Sequence, residues 1–209
     1  LHSHGHAMSG FQPSGLAADL AALEATGKPI RIGLIGSGMM GTDIVTQVLQ
    51  MRGIVVAAIA DIHVPAAVAA LASAGHDAQA HRIVETASAL EQAIGDKRIA
   101  ITPHADLVCS CALIDVVVDA TGKPDVGAQI GLTAMEFGKH LVMMNVEADV
   151  TIGAYLKHEA DRLGVVYSLG AGDEPSATIE LINFVSALGY PVIAAGKGKN
   201  NPLNVDATP

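Results

Sequence analysis

Several things are scarce in this 209-residue chain, and each scarcity removes a class of protein. Tryptophan is absent and aromatic residues make up only 3 %. Basic residues number 12 against 21 acidic ones, a net charge of -9 that would repel a phosphate backbone. Nucleic acid is therefore not expected as a partner, and no basic face is present for a membrane surface. No apolar run has the length of a membrane span, and no signal-peptide pattern is present. Cysteine occurs only as Cys109 and Cys111, a spacing that cannot close an unstrained disulfide or supply four zinc ligands. Both thiols lie in an apolar stretch and read as small hydrophobes, which suits a reducing cytoplasm.

Apolar residues and glycine are plentiful. Half the residues are hydrophobic, 22 are glycine and only 16 % are charged, a mix that suits a sheet buried on both faces with tight glycine turns. The chain starts at Leu1 and stops at Asp206-Ala207-Thr208-Pro209, and it reads as a piece or processed product of something longer. His2, His4 and His6 alternate near the start, where a tail is a simpler reading than a metal site.

Hydrophobic spacing predicts a short helix over 16–26, a buried strand over 30–35, a helix over 42–51 and a second buried strand over 54–60. Further helices are expected near 65–74, 84–94, 105–112, 126–137 and 152–163. Strands near 99–102, 114–119, 140–144 and 165–168 bring the sheet to about six. The expected fold is a Rossmann-type doubly wound parallel α/β sheet. After Gly170 the texture changes to a turn at 171–175, a helix over 176–188, a strand over 191–196 and a polar glycine-rich turn from Lys197. The expected organisation is a tail and short helix over 1–27, a dinucleotide-binding domain over 28–170, and over 171–209 the incomplete start of an α+β substrate domain.

Between the first strand and the first long helix stands Gly36-Ser37-Gly38-Met39-Met40-Gly41, a G-x-G-x-x-G in its proper strand-to-helix context. Gly36 allows the tight turn, Gly38 the approach of a pyrophosphate and Gly41 close helix packing, while the helix N-terminus offers N–H groups to the phosphates. Asp61 ends the second strand, where a carboxylate accepts from the adenosine ribose 2′-OH and repels a 2′-phosphate. NAD is thus favoured modestly over NADP, with His63 as a counterweight. Thr121 and Gly122 follow the strand that should border the switch point, and are expected on the nicotinamide-ribose side.

The runs IRIGLIGSGMMG, DVVVDATG, HLVMMNVEAD, GAGDEPSA and GKGKNNPLNVDATP together resemble the homoserine-dehydrogenase-like oxidoreductases. The closest resemblance is to the 1-deoxy-D-xylulose 5-phosphate reductoisomerase-like group. That resemblance implies a cofactor contact at Asn145 and a catalytic glutamate at Glu147, although Val146 stands where those families carry a lysine. It also implies a catalytic and metal-binding acidic pair at Asp173 and Glu174 for Mg2+ or Mn2+, with Lys197 and Lys199 as the cations that stabilise an alkoxide or bind a phosphate. The alternative for Asp173-Glu174 is a helix cap, and for 197–201 a solvated turn.

The function expected from these features is an NAD(P)-dependent oxidoreductase acting on a small polar hydroxy or keto compound, phosphorylated or not, in a homo-oligomer. The competing expectation is a dinucleotide-sensing or assembly module without turnover.

Overall fold

The computed structural model describes residues 15–170 and 176–196. It divides into two compact units, 1–169 and 170–209. In the first unit seven strands form one sheet in the order β3-β4-β2-β1-β5-β6-β7. The strands are β1 Ile30–Ile35, β2 Ile54–Ala60, β3 His81–Ile83, β4 Ile99–Thr102, β5 Val116–Asp119, β6 His140–Met143 and β7 Tyr167–Leu169. Every pairing is parallel. The order runs outward from β1 in both directions, which defines a doubly wound, Rossmann-type sheet with its switch point between β1 and β5.

Helices alternate with the strands: α1 Leu16–Ala25, α2 Met39–Val48, α3 Val64–Ser73, α4 Ala87–Gly95, α5 Ala105–Ser110, α6 Pro124–Glu136 and α7 Val146–Leu163. Successive residues of a strand serve opposite faces. Ile32 and Leu34 of β1 pack with Val45 and Val48 of α2 and Leu71 of α3. Ile35 belongs to the other layer, with Leu90 of α4, Val108 of α5, Ile130 and Met135 of α6 and Leu156 of α7. Both faces of the sheet are therefore dry, which is why its strands lack polar alternation. Gly33 is needed where α5 crosses β1, since a Cβ there would stand 2.4 Å from Val108 Cγ1. The β1–β2 register slips at the same place, between Ile32 and Gly33.

Three expectations from sequence change. Six strands become seven because His81–Ile83 adds a three-residue edge strand on β4, too short to show a period. Helix α7 starts at Val146, six residues before the expected Ile152, because the Asn145 side chain caps it by accepting from the Ala148 N–H at 3.1 Å. In the second unit α8 runs over Ser176–Ala187 as expected, but residues 191–196 form no strand. The apolar run there has no neighbouring strand among the described residues to complete its hydrogen bonds.

Candidate functional site

A cleft of about 280 Å3 opens beyond the C-terminal ends of β1, β2, β4 and β5. It lies at the switch point, where open parallel sheets bind their ligands. Its walls come from Gly36 and Gly38, from Asp61 and Ile62 after β2, from Pro103 after β4, and from Thr121 and Lys123 after β5.

The three glycines of the first turn have different reasons for being glycine. Gly36 has φ +93°, and a Cβ there would lie 2.7 Å from the Ala120 carbonyl oxygen. Gly41 passes so close under the turn that a Cβ would meet the Gly36 carbonyl oxygen at 2.1 Å. Gly38 is under neither constraint: its φ is -65°, and a Cβ would meet nothing within 4 Å. It is also the N-cap of α2 and no side chain occupies the cap, so the first N–H groups of the helix are free to receive an anion. The packing of the protein itself does not require glycine at 38.

Asp61 faces this turn. Its Oδ2 accepts from the Ser37 N–H at 2.7 Å and the Ser37 hydroxyl at 2.6 Å, and its Oδ1 accepts from the His63 N–H at 2.8 Å. Burial acts to raise this carboxyl, and the hydrogen bonds from Ser37 and His63 outweigh it, so it sits below the ordinary aspartate range. Asp61 is therefore ionised at neutral pH and ties β2 to the glycine turn as well as lining the cleft.

The opposite wall is the segment 120–123. Asp119, fully buried at the end of β5, accepts the Thr121 N–H on Oδ1 at 3.0 Å and the Asn145 amide on Oδ2 at 3.2 Å. Burial pushes its carboxyl above the usual range, and the bonds from Thr121 and Asn145 offset only part of that. Lys123 caps α6 with its backbone and is the only cation among the described residues lining the cleft.

Comparison with known proteins agrees with this geometry. Residues 36–167 match the family described as homoserine dehydrogenase, NAD binding domain. The chain belongs to that family. Residues 172–209 match a second family, described as oxidoreductase DRL, catalytic domain. No curated protein matches the chain. Among solved structures, an NAD binding oxidoreductase from Klebsiella pneumoniae superposes with TM-score 0.55 at 18 % identity, over 77 % of this chain and 39 % of its own. Myo-inositol dehydrogenase from Lactobacillus casei, solved with NAD(H) and myo-inositol, gives TM-score 0.58 at 16 % identity, over 77 % and 42 %. The WlbA dehydrogenase from Bordetella pertussis, solved with NADH and UDP-GlcNAcA, gives 0.56 at 18 %, over 78 % and 43 %. At these identities the likeness is one of fold, and the chain spans about two fifths of the length of these structures.

Within this homoserine-dehydrogenase-type NAD-binding domain the residues singled out from sequence divide into groups. Gly36, Gly38, Asp61 and Thr121 meet around the cleft. Met39 and Met40 are exposed on the first turn of α2, Gly41 lies beneath the turn, and Gly122 sits in the β5 segment with φ +68° without lining the cleft. Asn145, expected to touch the cofactor, is 1 % exposed, and its amide nitrogen donates to protein partners on the β5 side of the cleft. Glu147, expected to be catalytic, is exposed in the first turn of α7 and does not line this cleft. Asp173, Glu174, Lys197 and Lys199 fall outside the described residues. Among the described residues no group of three potential ligands is placed to hold a metal ion, and no helix is long and apolar enough to cross a membrane. Sequence reasoning missed Ser37, Asp119 and Lys123. Lys123 stood in plain view, two residues beyond Thr121 in the same turn.

Proposed function

We propose that the chain is the dinucleotide-binding part of an NAD(P)-dependent oxidoreductase acting on a small polar hydroxy or keto compound, with or without a phosphate. The observation that carries this reading is Gly38, a glycine that neither backbone strain nor packing demands, at an uncapped helix N-terminus on the wall of the switch-point cleft. When bound, the dinucleotide supplies hydride transfer at its nicotinamide C4. The backbone of Gly36 and Gly38 and the free N–H groups of α2 hold the diphosphate. Asp61, ionised and already fixed by Ser37 and His63, presents its remaining acceptor capacity to the adenosine ribose and disfavours a 2′-phosphate, so NAD is the preferred cofactor. Thr121 and Lys123 border the nicotinamide side, and the apolar side chains of Val126 and Ile130 exclude water from that end. Substrate chemistry falls to the segment that follows Gly170, including Asp173, Glu174, Lys197 and Lys199.

The test is spectrophotometric hydride transfer by the full-length protein with NADH and NADPH against a panel of keto acids, sugar acids and phosphorylated keto-sugars. Turnover with at least one class, faster with NADH, is expected. NADH binding without turnover on any of them would instead establish a dinucleotide-sensing module. Substitution Asp61→Ser should raise the ratio of NADPH to NADH affinity; a wild type that already binds NADPH more tightly would refute the NAD assignment.

A further inference from the structure

Asn145 follows β6 and divides its amide between two tasks. The oxygen accepts from the Ala148 N–H and caps α7. The nitrogen donates to Asp119 Oδ2 at 3.2 Å, to Thr121 Oγ1 at 3.2 Å and to the Lys123 carbonyl at 2.8 Å. An amide nitrogen carries two hydrogens, so these three acceptors share them, and all three belong to the segment that forms the β5 side of the cleft. Helix α6 closes over the arrangement. At Gly127 a Cβ would stand 2.5 Å from both Asn145 Nδ2 and Asp119 Oδ2, so glycine is what lets the helix seal the pair. The cap by itself asks only for a side-chain oxygen, which serine or aspartate would supply equally well. The donor contacts are additional to the cap, and they bear on Thr121 and Lys123, which line the cleft that Asn145 does not reach.

We propose that Asn145 is a positioning residue for ligand binding, which caps α7 through its oxygen and holds Thr121 and Lys123 on the cleft wall through its nitrogen. The proposal rests on the reading of the cleft as a dinucleotide site. Asn145 acts through its neighbours: without its N–H groups the Thr121 hydroxyl and the Lys123 carbonyl lose their link to the end of β6, and the backbone that carries both side chains on the cleft wall is no longer held there.

Two substitutions separate the tasks. Asn145→Ser keeps a capping oxygen and is too short to bridge to the β5 segment. Asn145→Asp keeps the cap and sets a second carboxylate against Asp119, and two carboxylates so close hold a shared proton to higher pH than either would alone. At low pH a shared proton preserves the link; as pH rises and that proton leaves, repulsion replaces it. Charged and titratable groups on the elements packed around the pair include Lys123, Asp125 in the first turn of α6, Glu147 and Asp149 in the first turn of α7, Asp106 in the first turn of α5, and Cys109 of α5, whose thiol feels the Asp119 charge. Lys123 favours loss of the shared proton and the acids oppose it.

The experiment is a fluorescence titration of NADH into the full-length protein between about pH 5 and about pH 8, with thermal unfolding in parallel to count only folded protein. For Asn145→Asp, affinity near that of the wild type at the acid end and about tenfold weaker at the alkaline end is expected. For Asn145→Ser the expectation is a loss of about five- to tenfold at every pH, and this variant decides the matter if Asn145→Asp does not fold at alkaline pH. NADH binding by Asn145→Ser at wild-type affinity, or an Asn145→Asp profile parallel to the wild type, overturns the proposal even if both variants are less stable. Gly38→Ala serves as reference. If the wild type fails to bind NADH, or Gly38→Ala binds as well as the wild type, the cleft reading falls and the proposal with it. If Gly38→Ala weakens binding and the Asn145 variants do not, the proposal alone falls.

Discussion

Replacing each glycine of the first turn by alanine should separate the part of that turn that serves the fold from the part that serves the ligand. At Gly38 the added methyl enters open space, and the backbone there (φ -65°, ψ -157°) is extended, with φ on the side that L-residues use. Gly38→Ala should leave the ligand-free protein as stable as the wild type, or stabilise it by up to about 1 kcal/mol through the reduced freedom of the unfolded chain. At Gly41 the methyl would lie 2.1 Å from the Gly36 carbonyl oxygen, an overlap with backbone that cannot swing aside, and the helix must shift off the sheet. Gly41→Ala should cost about 1–3 kcal/mol, the usual penalty of overpacking. Ligand affinity should show a different order. Gly38→Ala keeps the diphosphate from lying on the turn and should weaken NADH binding at least about tenfold, or about 1.4 kcal/mol. Urea unfolding of the ligand-free variants and calorimetric titration with NADH measure the two quantities independently. Gly38→Ala binding NADH at wild-type affinity would refute the argument that ligand approach is what requires glycine there; a loss of ligand-free stability matching that of Gly41→Ala would refute the packing side of it.

Other outcomes follow from the buried ionisable groups. The Asp61 carboxyl is lower in the folded state than in the unfolded chain, so its charge contributes stability that is complete above the ordinary aspartate range and lost as pH falls through the depressed value. The gap in urea midpoint between wild type and Asp61→Asn should therefore be constant from neutral pH down to about pH 5 and shrink below it; a gap that widens on acidification would contradict the Ser37–Asp61 geometry. Burial pushes the Cys109 thiol up to about 12 and also raises that of Cys111. An aromatic disulfide reagent should titrate neither thiol in the native protein at mildly alkaline pH and both after unfolding in urea, and rapid native labelling would show that α5 opens.

The dinucleotide turn, the buried strands around it and the helix behind it were legible in the sequence because each is a local pattern. A run such as IRIGLI is apolar throughout because both sheet faces are covered, and three glycines at fixed offsets follow it on a strand-to-helix turn. Asp61 was also legible, as the acid that ends the second strand, but not its bonds to Ser37, which require β2 and the glycine turn to end side by side. Tertiary structure alone decided what Asn145 does. The resemblance implied a cofactor contact there; the fold shows that its amide nitrogen donates to residues 22 to 26 positions away. The parallel register of β5 with β6 brings Asp119 opposite Met143, so the two strand ends stop at the same height and the side chains beyond them meet. Nothing in the spacing of Asp119, Gly127 and Asn145 announces that meeting. It follows from strand register and from the helix that closes over it at a glycine, and those are settled only when the whole sheet is assembled.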